Sequence, residues 1–293
     1  MKVLQILPQL NIGGVERGTL DLSKALINKG HESFVISGGG ILVDELTQNG
    51  AKHYEIPVHI KSLRTLSLAK RLSEIISTID PDIVHVRSRM PAWVNYRAFK
   101  KLQKKPLLIS TFHGLYSFPV YSKVMSFVDH SIAISKTVEN YILENYKLDK
   151  ADISVIPRGC DPIEFNNDLI NPADKANIIK EFQQIVGKKV LTIPGRITKW
   201  KGVAEFIELL SLLDDNYHGL IVGPTAKSKK KFLNKLQDKV SSLDLEDKIT
   251  FTGSRRDIAN IYKISDVVFN LSQTPEPFGR TMIEAIGCGA KVV

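Results

Sequence analysis

"KVLQILPQLNIGGVERGTLDLSKALINKG", residues 2–30, changes its period halfway along. Residues 2–7 are a short apolar run that ends at Pro8. From Val15 to Gly30 apolar residues recur three and four apart, and the stretch closes on a glycine, as a helix with a C-terminal stop does. A buried strand, a turn at Gly13-Gly14 and an amphipathic helix make the first half of a βαβ unit. The same change of period recurs downstream. Strand-like runs occupy 32–37, 52–56, 82–86, 106–111, 131–135 and 153–157, with helical spacing between most of them. This alternation predicts an α/β domain whose parallel sheet is covered by helices on both faces.

The alternation pauses at "RGCDPIEFNNDLINPADK" (158–175), which has little periodicity and reads as a linker. It resumes with runs at 188–194, 218–223, 248–253, 266–272 and 291–293. The expected architecture is two doubly wound α/β domains facing each other across a cleft. The N-terminal domain is expected over 1–165, a linker and first helix over 166–187, and the C-terminal domain over 188–293. Such sheets bind ligands at the carboxyl ends of their strands, so the residues just after each run carry the chemistry.

The chain has 293 residues, 43% apolar and 24% charged, enough for two domains with their own cores. It holds no apolar window of membrane-spanning length. The N-terminal apolar run is too short for a signal peptide, so a cytoplasmic location is expected. Cys160 and Cys288 lie far apart in no CxxC spacing, and the seven histidines form no HExxH pattern, so neither a disulfide framework nor a bound metal is expected. The formal charge is +9, and residues 1–165 hold 21 of the 40 Lys and Arg and 16 of the 31 Asp and Glu. The excess is therefore shared by both halves. Two basic clusters, 61–71 and 97–105, have helical spacing with apolar residues between the charges. They suit a solvated helix face or a peripheral contact with an anionic membrane surface. No nucleic-acid motif accompanies them, and nucleic acid is not expected as a partner.

Several strand ends are chemically distinctive. Gly13 and Gly14 open a helix, where a backbone can approach an anionic ligand or simply turn. His113-Gly114 follows 106–111, and His85 and Arg87 end the run at 82–86, expected on one face of their strand. Arg196 and Lys201 flank the tight loop "GRITKWKG" before a helix, an arrangement suited to a pair of phosphates. The GxxxxGK[ST] spacing of a P-loop is absent. In "PEPFGRTMIEAIGCG" (275–289), Glu276 sits in a loop and Glu284 about two turns into a helix expected to start near Phe278. Free amides at Phe278 and Gly279 would face an anion. A carboxylate accepts two hydroxyls at once. Two carboxylates flanking a helix start therefore match the sugar, phosphates and ribose of a sugar nucleotide.

The Glu276-to-Glu284 spacing, E-x7-E, resembles the signature of family 4 of the retaining glycosyltransferases, proteins of the GT-B fold. "GGVE" (13–16), "DIVHVR" (82–87), "HG" (113–114), "VIPRGCDPIEF" (155–165) and "GRITKWKG" (195–202) follow in that family's order, so the likeness spans essentially the whole chain. The resemblance implies transfer of a sugar from a nucleotide diphosphate sugar to a saccharide or lipid acceptor, with cell-envelope glycan or lipopolysaccharide synthesis as the setting. It implies that Arg196 and Lys201 bind the donor diphosphate, Glu284 the ribose and Glu276 the donor sugar. Phe278 and Gly279 would offer amides, His113 would position the sugar, and Gly13 and Gly14 would line the donor pocket. It implies neither cofactor nor metal, and no enzyme nucleophile. Two departures stand out. Arg158 occupies a position where the family commonly has asparagine. The chain also ends at "KVV", where similar proteins continue, so the second domain is expected to be incomplete. That leaves a second expectation, a shortened relative that binds sugar nucleotide or a partner without transfer. A sugar-nucleotide epimerase fits the E-x7-E element poorly, and a dinucleotide oxidoreductase lacks its GxGxxG.

Overall fold

The structure, a computed structural model, describes residues 1–293 except Ile12, Lys61, Ser117, Phe118 and Ile170, with the backbone alone for Leu63, Arg64 and Lys227. The alternation in the sequence becomes two separate parallel sheets, one in Met1–Arg158 and one in Gly159–Val293.

The strands of the first unit are β1 (Lys2–Ile6), β2 (Glu32–Ser37), β3 (Lys52–Glu55), β4 (Ile83–Val86), β5 (Leu107–Phe112), β6 (His130–Ala133) and β7 (Ile153–Val155). Its helices are α1 (Gly14–Asn28), α2 (Val43–Gln48), α3 (Ala69–Ile79), α4 (Arg89–Phe99), α5 (Pro119–Ser122) and α6 (Lys136–Asn145). The sheet order is β3-β2-β1-β4-β5-β6-β7, with every neighbouring pair parallel. The chain winds outward from β1 to β3 and then returns to lay β4 on the other side of β1. The loops after β1 and β4 therefore leave in opposite directions, which opens a crevice at their carboxyl ends. The strands are apolar on both faces because helices cover both. Gln5, fully buried in β1, is satisfied by donating to the Thr19 carbonyl and Ser23 Oγ of α1.

The second unit has β8 (Lys189–Pro194), β9 (Tyr217–Val222), β10 (Ile249–Gly253), β11 (Val267–Val268) and β12 (Lys291–Val292). Its helices are α7 (Pro172–Glu181), α8 (Val203–Ser211), α9 (Lys230–Ser242), α10 (Ile258–Ile264) and α11 (Arg280–Gly287). The order β10-β9-β8-β11-β12 puts the switch point between β8 and β11. Val203, Phe206, Ile207 and Leu210 repeat three and four apart along α8 and are all buried against Leu191 and Ile193 of β8. Phe206 is wholly buried and contributes roughly 1.5–3 kcal/mol by leaving water.

Four sequence expectations shift. The division falls after Arg158 rather than at residue 165, because Phe165 is buried with Ala259, Tyr262 and Ala285 in the second unit's core. The expected strand 266–272 is only Val267–Val268, since Asn270 accepts from the Ser272 hydroxyl and turns the chain. The basic stretch 97–105 is helical only to Phe99, and Lys104 is held instead by Asp80 at 2.8 Å. In the stretch 61–71 a 3-10 turn, Leu63–Leu68, precedes α3; Lys61 and the Arg64 side chain lie outside the described residues. Among the described residues no helix is long and apolar enough to cross a membrane.

Candidate active site

The loop from β8 to α8 is shaped by backbone that only glycine accommodates comfortably. Gly202 has φ +73°, and a Cβ there would stand 2.2 Å from the Leu271 carbonyl oxygen. Gly223, at φ +157°, packs so closely that a Cβ would meet the Gly195 oxygen at 1.8 Å. The first approach sets the β8 loop against the segment that follows β11, and the second sets it against the turn after β9. Lys201 and Glu276, 75 residues apart, meet there as an ion pair, each side chain about one-sixth exposed or less. Glu276 also accepts from Ser272 Oγ at 2.5 Å, and the Lys201 ammonium lies 4.5 Å from the Trp200 ring centroid. Arg196 stands exposed in the same loop.

α11 begins one residue later than Gly279, its N-cap, so its first-turn amides start at Arg280 rather than Phe278. Glu284 is then just over one turn into the helix, not two. It is 8% exposed, and Arg280 Nε, one turn earlier, donates to it at 2.7 Å. Burial pushes the Glu284 carboxyl above its ordinary value, against the pull of Arg280 and with some help from Glu164. Tyr262 lies near it, with a buried hydroxyl that has no partner among the described residues. Burial, then the Glu284 charge, holds that phenol protonated.

In the first unit the switch-point crevice holds a cluster of cations and imidazoles. Arg87, 6% exposed, donates to Gln5 Oε1 at 2.7 Å. Burial, with Arg158 nearby, lowers it to about 9, while Asp21 and Glu16 act the other way. His85 shares a 2.7 Å hydrogen bond with Thr111 Oγ1 of β5. These two side chains, expected on one face of their strand, are both buried and serve the sheet itself, reaching towards opposite neighbours of β4. His113 follows β5. Its Nδ1 lies 2.5 Å from Arg158 Nη2, and its buried Nε2 has no partner among the described residues. Burial first, then Arg87, Arg158 and His85, drives its pKa well below the usual imidazole range. Gly13 caps α1 in extended conformation, and the Glu16 carboxylate sits beside it, where an anionic ligand was expected. The Gly14 carbonyl accepts from Arg158 Nη1 at 2.5 Å.

The structure thus places Arg196 and Lys201 on the segment after β8, Glu276, Phe278 and Gly279 on the segment after β11 and Glu284 on α11 of one unit, and Gly13, Gly14 and His113 just after strands β1 and β5 of the other. Sequence reasoning missed two side chains and the partners of a third. Arg280 was findable, four residues before Glu284 on one helix face. Ser272 gave no signal, and the partners of Arg158 are 45 and 144 residues away. Among the described residues no three His, Cys, Asp or Glu side chains are grouped to hold a metal ion.

Residues 12–164 match the model of Glycosyltransferase Family 4, and residues 174–293 that of Glycosyl transferases group 1. The chain belongs to glycosyltransferase family 4, and its two units have the Rossmann-like topology of the GT-B fold. A solved glycosyltransferase from Rickettsia africae ESF-5 is 35% identical, matching 99% of this chain and 78% of its own with a TM-score of 0.89. N-acetyl-alpha-D-glucosaminyl L-malate synthase of Bacillus anthracis is 25% identical over 97% of this chain and 76% of its own length. Anabaena Alr3699/HepE, solved in complex with UDP, shares the fold at 21% identity and a TM-score of 0.85, over 100% of this chain and 80% of its own.

Proposed function

We propose that this glycosyltransferase moves a sugar, with retention at the anomeric carbon, from a nucleoside diphosphate sugar to a saccharide or lipid acceptor of cell-envelope glycan synthesis. The observation that carries the reading is the Lys201–Glu276 pair, whose lysine lies in the loop that also holds the exposed Arg196, at the switch point of the second sheet. A diphosphate arriving there takes Lys201 and Arg196 as its counter-charges and releases Glu276 to accept the hydroxyls of the donor sugar. Glu284, once turned from Arg280, accepts the ribose diol. As the bond from the anomeric carbon to the diphosphate breaks, negative charge grows on the departing phosphate, and the two cations stabilise it without reorganising. The acceptor oxygen bonds to the same face of that carbon, and its proton passes to the departing phosphate oxygen. No side chain is needed as nucleophile. UDP in the Anabaena relative makes a UDP-sugar the first donor to try.

Binding and slow hydrolysis of UDP-, GDP- and ADP-sugars are the test. Glu284→Ala is expected to abolish donor binding. Lys201→Ala is expected to lower kcat by about 100-fold or more, the usual loss for one preorganised donor. Folded protein that binds no sugar nucleotide overturns the proposal. Because Arg196 and Lys201 neutralise the leaving group, turnover should survive dialysis against EDTA. Loss of turnover that Mg²⁺ or Mn²⁺ restores would show that a metal shares that work.

A further inference from the structure

The transfer chemistry above leaves one strong constellation of the first unit unused. Arg158, the last residue of that unit, sends its two terminal nitrogens to two different strand ends. Nη1 donates to the Gly14 carbonyl at the end of the β1 loop, and Nη2 lies 2.5 Å from His113 Nδ1 after β5. Gly14 is what lets the guanidinium in, since a Cβ there would stand 2.9 Å from Nη1. A guanidinium has donors and no acceptor. Nδ1 facing it must therefore offer its lone pair, and the single proton of the neutral ring sits on Nε2. That Nε2 is buried and has no partner among the described residues. A buried donor left unpaired costs about 1–3 kcal/mol, so an acceptor brought to it by a ligand would be bound favourably.

We propose that Arg158 is a positioning residue for the transfer, holding His113 as the Nε2–H tautomer so that the imidazole donates a hydrogen bond to the transferred sugar and does not act as a base. This rests on the donor reading given above. The groups bearing on the ring agree with a neutral donor. Burial, Arg87, Arg158 and His85 all oppose a proton on it, and no carboxylate is among them. The Tyr116 hydroxyl meets the backbone of His113, accepting from its N–H at 3.4 Å. Asparagine at 158 is too short to reach both the Gly14 carbonyl and Nδ1. It also carries an acceptor oxygen that permits the opposite tautomer.

The test is ¹⁵N NMR of histidine-labelled full chain, with His113→Asn to assign the ring, combined with kinetics on the preferred sugar nucleotide. Wild type should show an unprotonated Nδ1 and a protonated Nε2, unchanged from pH 8 to 5. Arg158→Asn should mix the tautomers and let the ring titrate in that range. Its kcat should fall by about 10- to 100-fold, as when an outer orienting partner is lost, with donor KM little altered. Arg158→Lys, which still donates to Nδ1, should restore the tautomer and most of kcat. A proton on Nδ1 in wild type overturns the proposal without any variant. A wild-type tautomer in Arg158→Asn, or an altered tautomer with unchanged kcat, also overturns it. If wild type turns over no sugar nucleotide, the functional reading fails while the spectrum still decides the tautomer.

Discussion

Single residues set the tolerances of this site. Gly202→Ala must force a Cβ into the Leu271 carbonyl at a backbone angle of +73°. The expected cost is about 2–3 kcal/mol or more, read as a lower denaturation midpoint of the second unit. Glu284 gives a pH signature. Its folded pKa is raised above the ordinary 4.5, so the folded protein binds more protons than the unfolded chain between those two values. Stability should therefore fall as pH climbs through that window and stay lower above it. Glu284→Gln removes this contribution, so the variant should match or exceed wild-type stability at pH 7, with the difference shrinking towards pH 4 in urea titrations. At this scale the sequence was half legible. Glu284 stood out because an acid occupied an apolar stretch of helix. Its partner Arg280 was equally visible by spacing, but the pairing of Lys201 with Glu276 depends on which two strands lie side by side, and local pattern does not encode that.

The elements followed their periods where burial is two-sided, as in β1, β2, β5 and β8. Errors gathered at termini. The start of α11 was misplaced because its N-cap is Gly279 at φ +77°, with no Ser, Thr, Asp or Asn to mark it. The helix expected through 97–105 stops at Phe99: Lys100 still lies over the Tyr96 ring one turn back at 4.3 Å, whereas Lys104 holds Asp80, beyond the end of α3. Between elements, Arg255 ties the last residue of α7, Glu181, to Asp257 at the N-cap of α10, with Nη2 2.8 Å from a carboxylate oxygen of each. The Arg255 guanidinium holds Asp257 below the usual carboxylate range, so this tie is present at neutral pH and lost on acidification. Both carboxylates are more than a third exposed, so Arg255→Ala should cost only about 1 kcal/mol, and less in high salt.

At the scale of the whole molecule, two units were legible because a doubly wound pattern started, paused and started again. The boundary was not, since Phe165 inside the pause belongs to a core whose other members come more than 90 residues later. The charge of +9 is likewise a property of the whole. If it serves a lipid acceptor at an anionic surface, the protein should sediment with phosphatidylglycerol vesicles at low salt and be released as salt rises. Replacing Lys100, Lys101 and Lys105 with glutamate should weaken that binding, and indifference to vesicle charge would remove the membrane from the proposal. The first unit is one continuous stretch, and among the described residues the strands of its sheet pair only with one another. On a ribosome adding about 5–20 residues per second, the second unit takes roughly 7–27 s to emerge. That interval is long compared with the milliseconds to seconds in which such domains fold. The nascent chain can thus finish its first sheet, Arg158 clamp included, before the strands that would compete for its edges have been made.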